Sequence, residues 1–366
     1  MQETISQNNY YKYHISGLKG FACIMVMIGH YIGLYKYAEN FSFTSKITNI
    51  FDVFLSSKLN FILDESFWVV LFFVASGYLV AMSNITTIKS FAQKSIMRFL
   101  RLGIPVLFAY AVIFLLYKTI GFHTSDTVSL LENSFIQKAY TSAYSVSQVL
   151  TSPFDVLIRG KTYLNSPFWV LREMFFLSLL IYLFSLLKNK LTNKTVFLTI
   201  VFGSLLVSFV LSNVVFASIA GMLLYYFEKD SQLISNKISV LAIIIFCASL
   251  NFVPRNRISC VFFGALILLI PKLPLFNAIF SCRIAQFINK ISFGIYAFHW
   301  PIFCSIGMLM FVKLCQTHNL FVSGIISSII SVVLSLLSAI IFYYVFEKQI
   351  YVLLNKLNKK SGGISK

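Results

Sequence analysis

A lysine and a histidine in the first apolar segment have the spacing that most clearly suggests chemistry. Ten residues, none of them charged at neutral pH, separate Lys19 from His30. Eleven helical steps of about 100° end about 20° past three full turns, so both side chains would share one face, roughly 16–17 Å apart along the axis. A histidine side chain ordinarily titrates near neutral pH, so His30 is a candidate general base. The structural alternatives are an interhelical hydrogen bond for His30 and an interfacial anchor for Lys19.

Two arginines and a serine are further candidates. Arg98 and Arg101 would be neighbours on a helix surface and could bind phosphate groups, although ordinary positive-inside topology would also explain them. Ser76 lies between Ala75 and Gly77, and such small residues usually allow close helix packing. The alternative for Ser76 is the wall of a cofactor channel.

Three ionisable residues of later segments complete the candidate set. Glu173, at the start of the fourth segment, could orient His30, contact a substrate or form an interhelical ion pair. His299 could line a channel or have a structural role, near a carbonyl group freed by Pro301. Glu347 ends the last segment and is interpreted as part of an interfacial charge cluster.

The composition indicates that these residues belong to a membrane protein. The 366 residues are 58% hydrophobic and 11% charged, with a mean hydropathy of +0.81. Soluble domains have about a quarter charged residues, and apolar runs of about 17–25 residues can cross a bilayer as helices. The net charge of +18 is scattered over short loops, which argues against nucleic-acid binding. The six cysteines lie mostly in apolar segments and predict neither a metal site nor a structural disulfide.

The predicted fold class is an all-α polytopic membrane protein with both termini cytoplasmic. Of the 30 Lys and Arg residues, 18 fall in the predicted inner segments and 10 in the outer ones, as the positive-inside rule requires. Residues 1–13 and 346–366 would be cytoplasmic, and residues 14–345 would form one transmembrane domain. Its ten predicted helices span approximately residues 14–35, 66–83, 101–121, 166–187, 195–212, 213–227, 238–253, 258–270, 291–312 and 320–345.

Taken together, these segments resemble the bacterial membrane-bound acyltransferases known as acyltransferase family 3. The resemblance covers nearly the whole chain. It rests on six motifs in order: Lys19 and His30 with ten residues between them, the FFxxSGYL run at 72–79, the RxxR pair Arg98 and Arg101, Trp169 with Glu173, the SFxIYxxHWP run at 292–301, and Phe346-Glu347-Lys348. Glu173 follows Trp169 by four residues, one fewer than in the family pattern.

The resemblance implies a membrane enzyme that transfers an acyl group, expected to be acetyl, from cytoplasmic acetyl-CoA to an extracytoplasmic glycan or lipid-linked glycan. It implies His30 and Glu173 as catalytic residues, and a bacterial inner-membrane location. For the donor we predict binding by Lys19, Arg98, Arg101, Ser76 and His299, and we expect no metal. A polysaccharide exporter is the alternative, but the sequence lacks the repeats and midplane acids that such a transporter would predict. Residues Tyr37, Glu39, Asp126 and Glu132 of the outer loops are candidates for acceptor selection.

Overall fold

The structure is a computed structural model that describes residues 2–36, 58–131, 140, 143–191, 193–230, 236–249, 255–270 and 273–362. All regular structure in these ranges is helical, which confirms the predicted all-α class. The α-helices are, in chain order, α1 (Gln2–Lys36), α2 (Glu65–Ala81), α3 (Ile88–Thr119), α4 (Thr124–Leu131), α5 (Val146–Phe154), α6 (Trp169–Lys190), α7 (Lys194–Leu211), α8 (Asn213–Asp230), α9 (Asn236–Ser249), α10 (Arg255–Leu269), α11 (Pro274–Ser281), α12 (Arg283–Ile302), α13 (Met308–Leu314), α14 (Leu320–Phe342) and α15 (Lys348–Gly362).

Several of these helices are suited to cross a membrane. Among the described residues, five helical segments have the length and apolar composition of a span, and a bent pair formed by α10 and α11 would make a sixth. Helices α2, α7 and α8 are apolar but shorter. The chain is therefore a multi-pass membrane protein. A helix lies within every one of the ten predicted segments, whereas the number of crossings and the cytoplasmic position of both termini stay predictions.

Within the described ranges, three π-helical turns continue α-helices without a break: Asp155–Arg159 after α5, Phe303–Gly307 after α12, and Tyr343–Glu347 after α14. Each widens the helix by one residue per turn, a departure from regular geometry that is common near functional sites. The second follows the motif that contains His299, and the third ends at Glu347. The second and third irregular turns therefore lie in or next to segments that the sequence singled out.

The chain divides into two compact units. The first contains Met1–Ala22, Ser66–Arg98 and Glu173–Lys290. Within it, a β-carbon added to Gly77 would lie 2.0 Å from the carbonyl oxygen of Ser218, and one added to Gly221 would lie 2.0 Å from that of Val74. Helices α2 and α8 thus approach backbone to backbone, which confirms the close packing predicted for the Ala-Ser-Gly run.

The second unit contains Cys23–Glu65, Phe99–Arg172 and Ile291–Lys366. Its helix α14 turns a row of buried small side chains inward, one every four residues. A β-carbon on Gly294 of α12 would lie 2.8 Å from the α-carbon of Ala339, so α12 and α14 are also in close contact. The row consists of Ser323, Ser327, Ser331, Ser335 and Ala339.

Candidate active site

The site is built around two histidines from distant parts of the chain. Nδ1 of His30, on α1, lies 3.0 Å from Nε2 of His299, on α12. The two rings are nearly parallel, with centroids 5.1 Å apart, and the ring of Trp300 lies 5.5 Å from that of His30. His299 is fully buried, whereas His30 is only partly buried. One imidazole is therefore held inside the protein while its partner keeps an accessible side.

The hydrogen bonds around His299 determine the proton positions of the pair. Nδ1 of His299 faces the carbonyl oxygens of Ile295 and Tyr296 at 3.1 and 3.0 Å, and carbonyl oxygens only accept. Nδ1 of His299 must then carry a hydrogen, and in the neutral ring Nε2 is an acceptor. His30 consequently donates from Nδ1 to that nitrogen. The lone pair of His30 is left on Nε2, for which the described residues provide no hydrogen bond.

This assignment gives His30 the arrangement of a general base with an orienting partner. A base needs one ring nitrogen with a free lone pair, while the other nitrogen is held in place by an acceptor. His299 supplies the acceptor, and the backbone of α12 holds His299. His299 remains an acceptor when His30 takes up a proton, so the pair stabilises both protonation states of His30.

Tyr31 ties the pair to a third helix. Its hydroxyl donates to the carbonyl oxygen of His299 at 2.9 Å and lies 3.1 Å from the hydroxyl oxygen of Ser335 on α14. Its ring stacks on Phe303 with centroids 4.3 Å apart. These contacts are buried, and buried hydrogen bonds fix side chains that packing alone would leave free to rotate. Tyr31 therefore joins α1, α12 and α14 directly beside the two histidines.

Pro301 explains a further contact near the pair. Proline has no N–H group, so the carbonyl group four residues earlier, that of Ala297, loses its helical partner. The side-chain amide of the fully buried Asn165 donates to this oxygen at 2.7 Å. The carbonyl group expected to be freed by Pro301 is thus present and satisfied. Asn165 connects the segment before α6 to the helix that contains His299.

Gly29 brings α1 against the chain that precedes α2. A β-carbon at this position would lie 2.9 Å from both the carbonyl oxygen of Leu63 and the amide nitrogen of Glu65. Only glycine allows the two backbones to come this close. Because Gly29 directly precedes His30, this contact fixes the position of the helix turn that carries the histidine.

The predicted phosphate-binding arginines lie together on α3. Arg101 is half-buried, and its Nη2 donates to Oδ1 of Asn355 on α15 at 2.9 Å. Its Nε is buried and has no hydrogen-bond partner among the described residues. Arg98 lies one turn earlier on the same helix and is also half-buried. Their role in donor binding stays a prediction.

The remaining predicted site residues occupy separate positions in the first unit. The ammonium group of Lys19 lies 5.8 Å from the ring centroid of Phe72, in the FFxxSGYL run. Ser76 is buried, and its hydroxyl has no hydrogen-bond partner among the described residues. Glu173 is half-buried near the start of α6. The structure places these residues without testing the roles predicted for them.

Of the four outer-loop candidates for acceptor selection, the structure describes one. Asp126 accepts a hydrogen bond from His123 at 3.1 Å and is exposed, while Tyr37, Glu39 and Glu132 lie outside the described residues. Among the described residues, no group of three His, Cys, Asp or Glu side chains could hold a metal ion.

A buried carboxylate that the sequence did not single out, that of Asp155, lies on the π-helical turn after α5. Asp155 is buried, accepts from Thr151 at 2.5 Å and forms an ion pair with Arg159 at 2.9 Å. Burial raises the pKa of the Asp155 carboxyl, but the hydrogen bonds from Thr151 and Arg159, together with the charges of Arg159 and Lys161, outweigh this effect and hold the pKa below its ordinary value of 3.8. The carboxylate is therefore stabilised in its ionised form.

Fold and site together define an all-helical, multi-pass membrane protein in which α1 and α12 pair a partly accessible histidine with a buried one. The chain matches the acyltransferase domain of acyltransferase family 3 over residues 12–344, nearly its whole length, and therefore belongs to that family. It is accordingly an acyltransferase. Comparison with curated proteins and with solved structures gives no match.

Proposed function

We propose that the protein transfers an acyl group, acetyl in the first instance, from acyl-CoA to a hydroxyl group of an extracytoplasmic glycan or lipid-linked glycan, in the bacterial inner membrane. The observation that carries this proposal is the 3.0 Å contact between Nδ1 of His30 and Nε2 of His299. It leaves Nε2 of His30 unprotonated and without a hydrogen bond from the described residues. Hydroxyl groups need such a base to attack a thioester at neutral pH.

The proposed reaction moves one proton through His30. Nε2 of His30 takes the proton of the acceptor hydroxyl while its oxygen attacks the thioester carbonyl carbon. The carbon–sulfur bond then breaks, and the departing thiolate of CoA receives the proton from Nε2. Throughout, Nδ1 of His30 stays bonded to His299, so the imidazolium that forms is oriented and stabilised without a second proton transfer. An acetylated His30 is the alternative intermediate, with the same nitrogen as nucleophile.

Arg101 supports the choice of a nucleotide-bearing donor. Its guanidinium group uses Nη2 to bond Asn355, and its buried Nε has no hydrogen-bond partner among the described residues. A half-buried guanidinium group is well suited to phosphate because it presents several donors in a fixed plane. Arg98, one turn away, would add a second such group. We assign these two arginines to the phosphates of CoA.

The decisive experiment compares wild type and His30→Ala in a bacterial host that displays a defined surface glycan, with O-acetyl groups counted by NMR. General acid–base catalysis contributes about 10²–10⁴-fold in rate, so His30→Ala should abolish the acetyl signal at equal protein level. His318→Ala is the matched control, because His318 is exposed and bonded to Thr317 rather than to another histidine.

Each outcome of this experiment has a defined meaning. Loss of acetylation in His30→Ala, with full activity in His318→Ala, supports the proposed reaction and its base. Acetylation that survives in His30→Ala would remove His30 from the mechanism. A wild-type protein that exports the glycan unmodified would contradict transfer to this acceptor and favour transport.

A further inference from the structure

A polar row on α15 continues onto the preceding π-helical turn, where it ends at a buried carboxylate that the proposed chemistry does not use. Glu347, Tyr351 and Asn355 are four residues apart and therefore share one helix face. Asn355 is exposed and accepts from Arg101 at 2.9 Å, and Tyr351 is 37% exposed, but Glu347 is only 2% exposed. The row leads from the surface to a side chain inside the protein. Its inner end differs from the interfacial charge cluster expected from the sequence.

One oxygen of the carboxylate at the inner end has no hydrogen-bond donor among the described residues. Tyr351 provides a side-chain hydrogen bond to Glu347, but oxygen Oε2 is buried and has no partner in the described part of the chain. A buried carboxylate oxygen without a donor is strongly destabilising, because its lost hydration is not replaced. The buried Nε of Arg101 likewise has no acceptor there. One unsatisfied acceptor thus lies at the inner end of the row, and one unsatisfied donor belongs to the arginine that is bonded to its outer end.

The positions along two helices give similar distances between the Glu347 carboxylate and the Arg101 guanidinium group. Glu347 precedes Asn355 by eight residues, or about 12 Å of helix. On α3, Phe108 follows Arg101 by seven residues, or about 10 Å. The ring of Phe108 stacks on that of Phe346, next to Glu347, with centroids 4.8 Å apart. A ligand that satisfies both groups needs an anion at one end and N–H donors about 10–12 Å further along.

We propose that Glu347 binds the pantetheine arm of the acyl-CoA donor: Oε2 accepts a hydrogen bond from an amide N–H of the arm while Arg101 holds a phosphate. This assignment rests on the proposed function, which takes acyl-CoA as the donor. Pantetheine carries two amide groups along an extended chain that begins at the pyrophosphate. It therefore combines the required anion with N–H donors in one molecule, and Glu347 would select donors by the arm rather than by the nucleotide.

The test measures ligand binding to the purified full-length protein in detergent or nanodiscs. CoA and pantetheine, which has no phosphate, are each titrated against a fluorescent CoA analogue. Glu347→Gln keeps the size of the side chain but removes the charge, and should weaken both ligands about 10-fold, as expected for loss of a charge-assisted hydrogen bond. Arg101→Gln should weaken CoA but leave pantetheine unchanged. Lys348→Gln, at an exposed neighbouring position, should change neither.

The possible results separate the subsite from the proposed function. Wild-type affinity for both ligands in Glu347→Gln would overturn the subsite, as would a wild-type protein that binds CoA but not pantetheine up to millimolar concentration. Thermal unfolding of each variant shows whether a loss of binding reflects a loss of folded protein, and Glu347→Asp retains the charge as a second probe. A wild-type protein that binds CoA but acetylates no glycan would contradict the proposed acceptor and leave the subsite standing.

Discussion

Replacement of His299 by leucine should slow the reaction without weakening substrate binding. The leucine removes the acceptor that holds Nδ1 of His30, at a distance of 3.0 Å. His30 could then place its single proton on either nitrogen, and its ring could rotate. A hydrogen bond to an ionised group contributes about 1.5–3 kcal/mol, and about 1.36 kcal/mol corresponds to a factor of ten in rate. The rate constant should therefore fall about 10- to 150-fold.

The assay is steady-state acetyl transfer by purified protein, with kcat and the KM for acetyl-CoA determined separately. A positioning residue acts on the base, so the loss should appear in kcat while KM stays within about twofold. His299→Gln is the matched variant, because its side-chain oxygen can replace the accepting Nε2 and should restore part of the rate. This rescue distinguishes orientation of the base from a general loss of packing.

Two results would refute this account of His299. A leucine variant with kcat close to that of wild type would show that His30 needs no acceptor. An equal loss in the leucine and glutamine variants, together with a lower unfolding temperature in both, would show that His299 is structural. An increase confined to the KM for acetyl-CoA would instead return His299 to the donor-binding role predicted from the sequence.

Two further predictions concern the packing of Gly29 next to His30 and the buried carboxylate of Asp155. Gly29→Ala should destabilise the protein by about 1–3 kcal/mol and lower kcat, because the new β-carbon meets the backbone at 2.9 Å; thermal unfolding and the transfer assay measure both effects. Asp155 should contribute stability that is complete above its ordinary pKa of 3.8 and is lost as the pH falls through its lower folded-state pKa. Asp155→Asn should therefore be less stable than wild type at neutral pH, with the difference shrinking in acid.

The chain offers a control for the first of these predictions, and the pH dependence tests the second. Gly203→Ala should be neutral or slightly stabilising, because a β-carbon there meets no atom within 4 Å. If Gly29→Ala behaved like this control, the close approach of α1 to residues 63–65 would be disproved. If the stability difference between Asp155→Asn and wild type did not change from neutral pH to about pH 3, the carboxylate would not be the titrating group.

Local patterns predicted the elements that carry the site. The apolar runs located a helix in each predicted segment, even the pair of helices separated only near Ser212. The rotation between Lys19 and His30 follows from helix geometry, and α1 runs unbroken through both. The small residues around Gly77 predicted close packing because only small side chains allow backbones to touch. Each of these inferences depends on residues within a few turns of one another.

The partners within the site could not be predicted in the same way. His30 and His299 are 269 positions apart, and no periodic pattern connects positions at that distance. Asn165 appears in the sequence as an ordinary loop residue, although the missing N–H of Pro301 signalled that some donor was needed for the carbonyl group of Ala297. Glu347 is buried because the π-helical turn and α15 continue the helix past the end of the predicted segment.

The hydrogen bonds from His299 to its own helix also bear on how the enzyme can be altered. In many sites of this kind the base is oriented through a side-chain carboxylate, which a single mutation can remove. Here the hydrogen bonds lead from His30 to His299 and end on two main-chain carbonyl oxygens, those of Ile295 and Tyr296. Every amino acid supplies the same carbonyl group. Substitution at these two positions can change the packing around the ring but not its proton acceptor. The orientation of the base is thus protected against point mutation at that end, and inactivating changes should concentrate at His30 and His299 themselves.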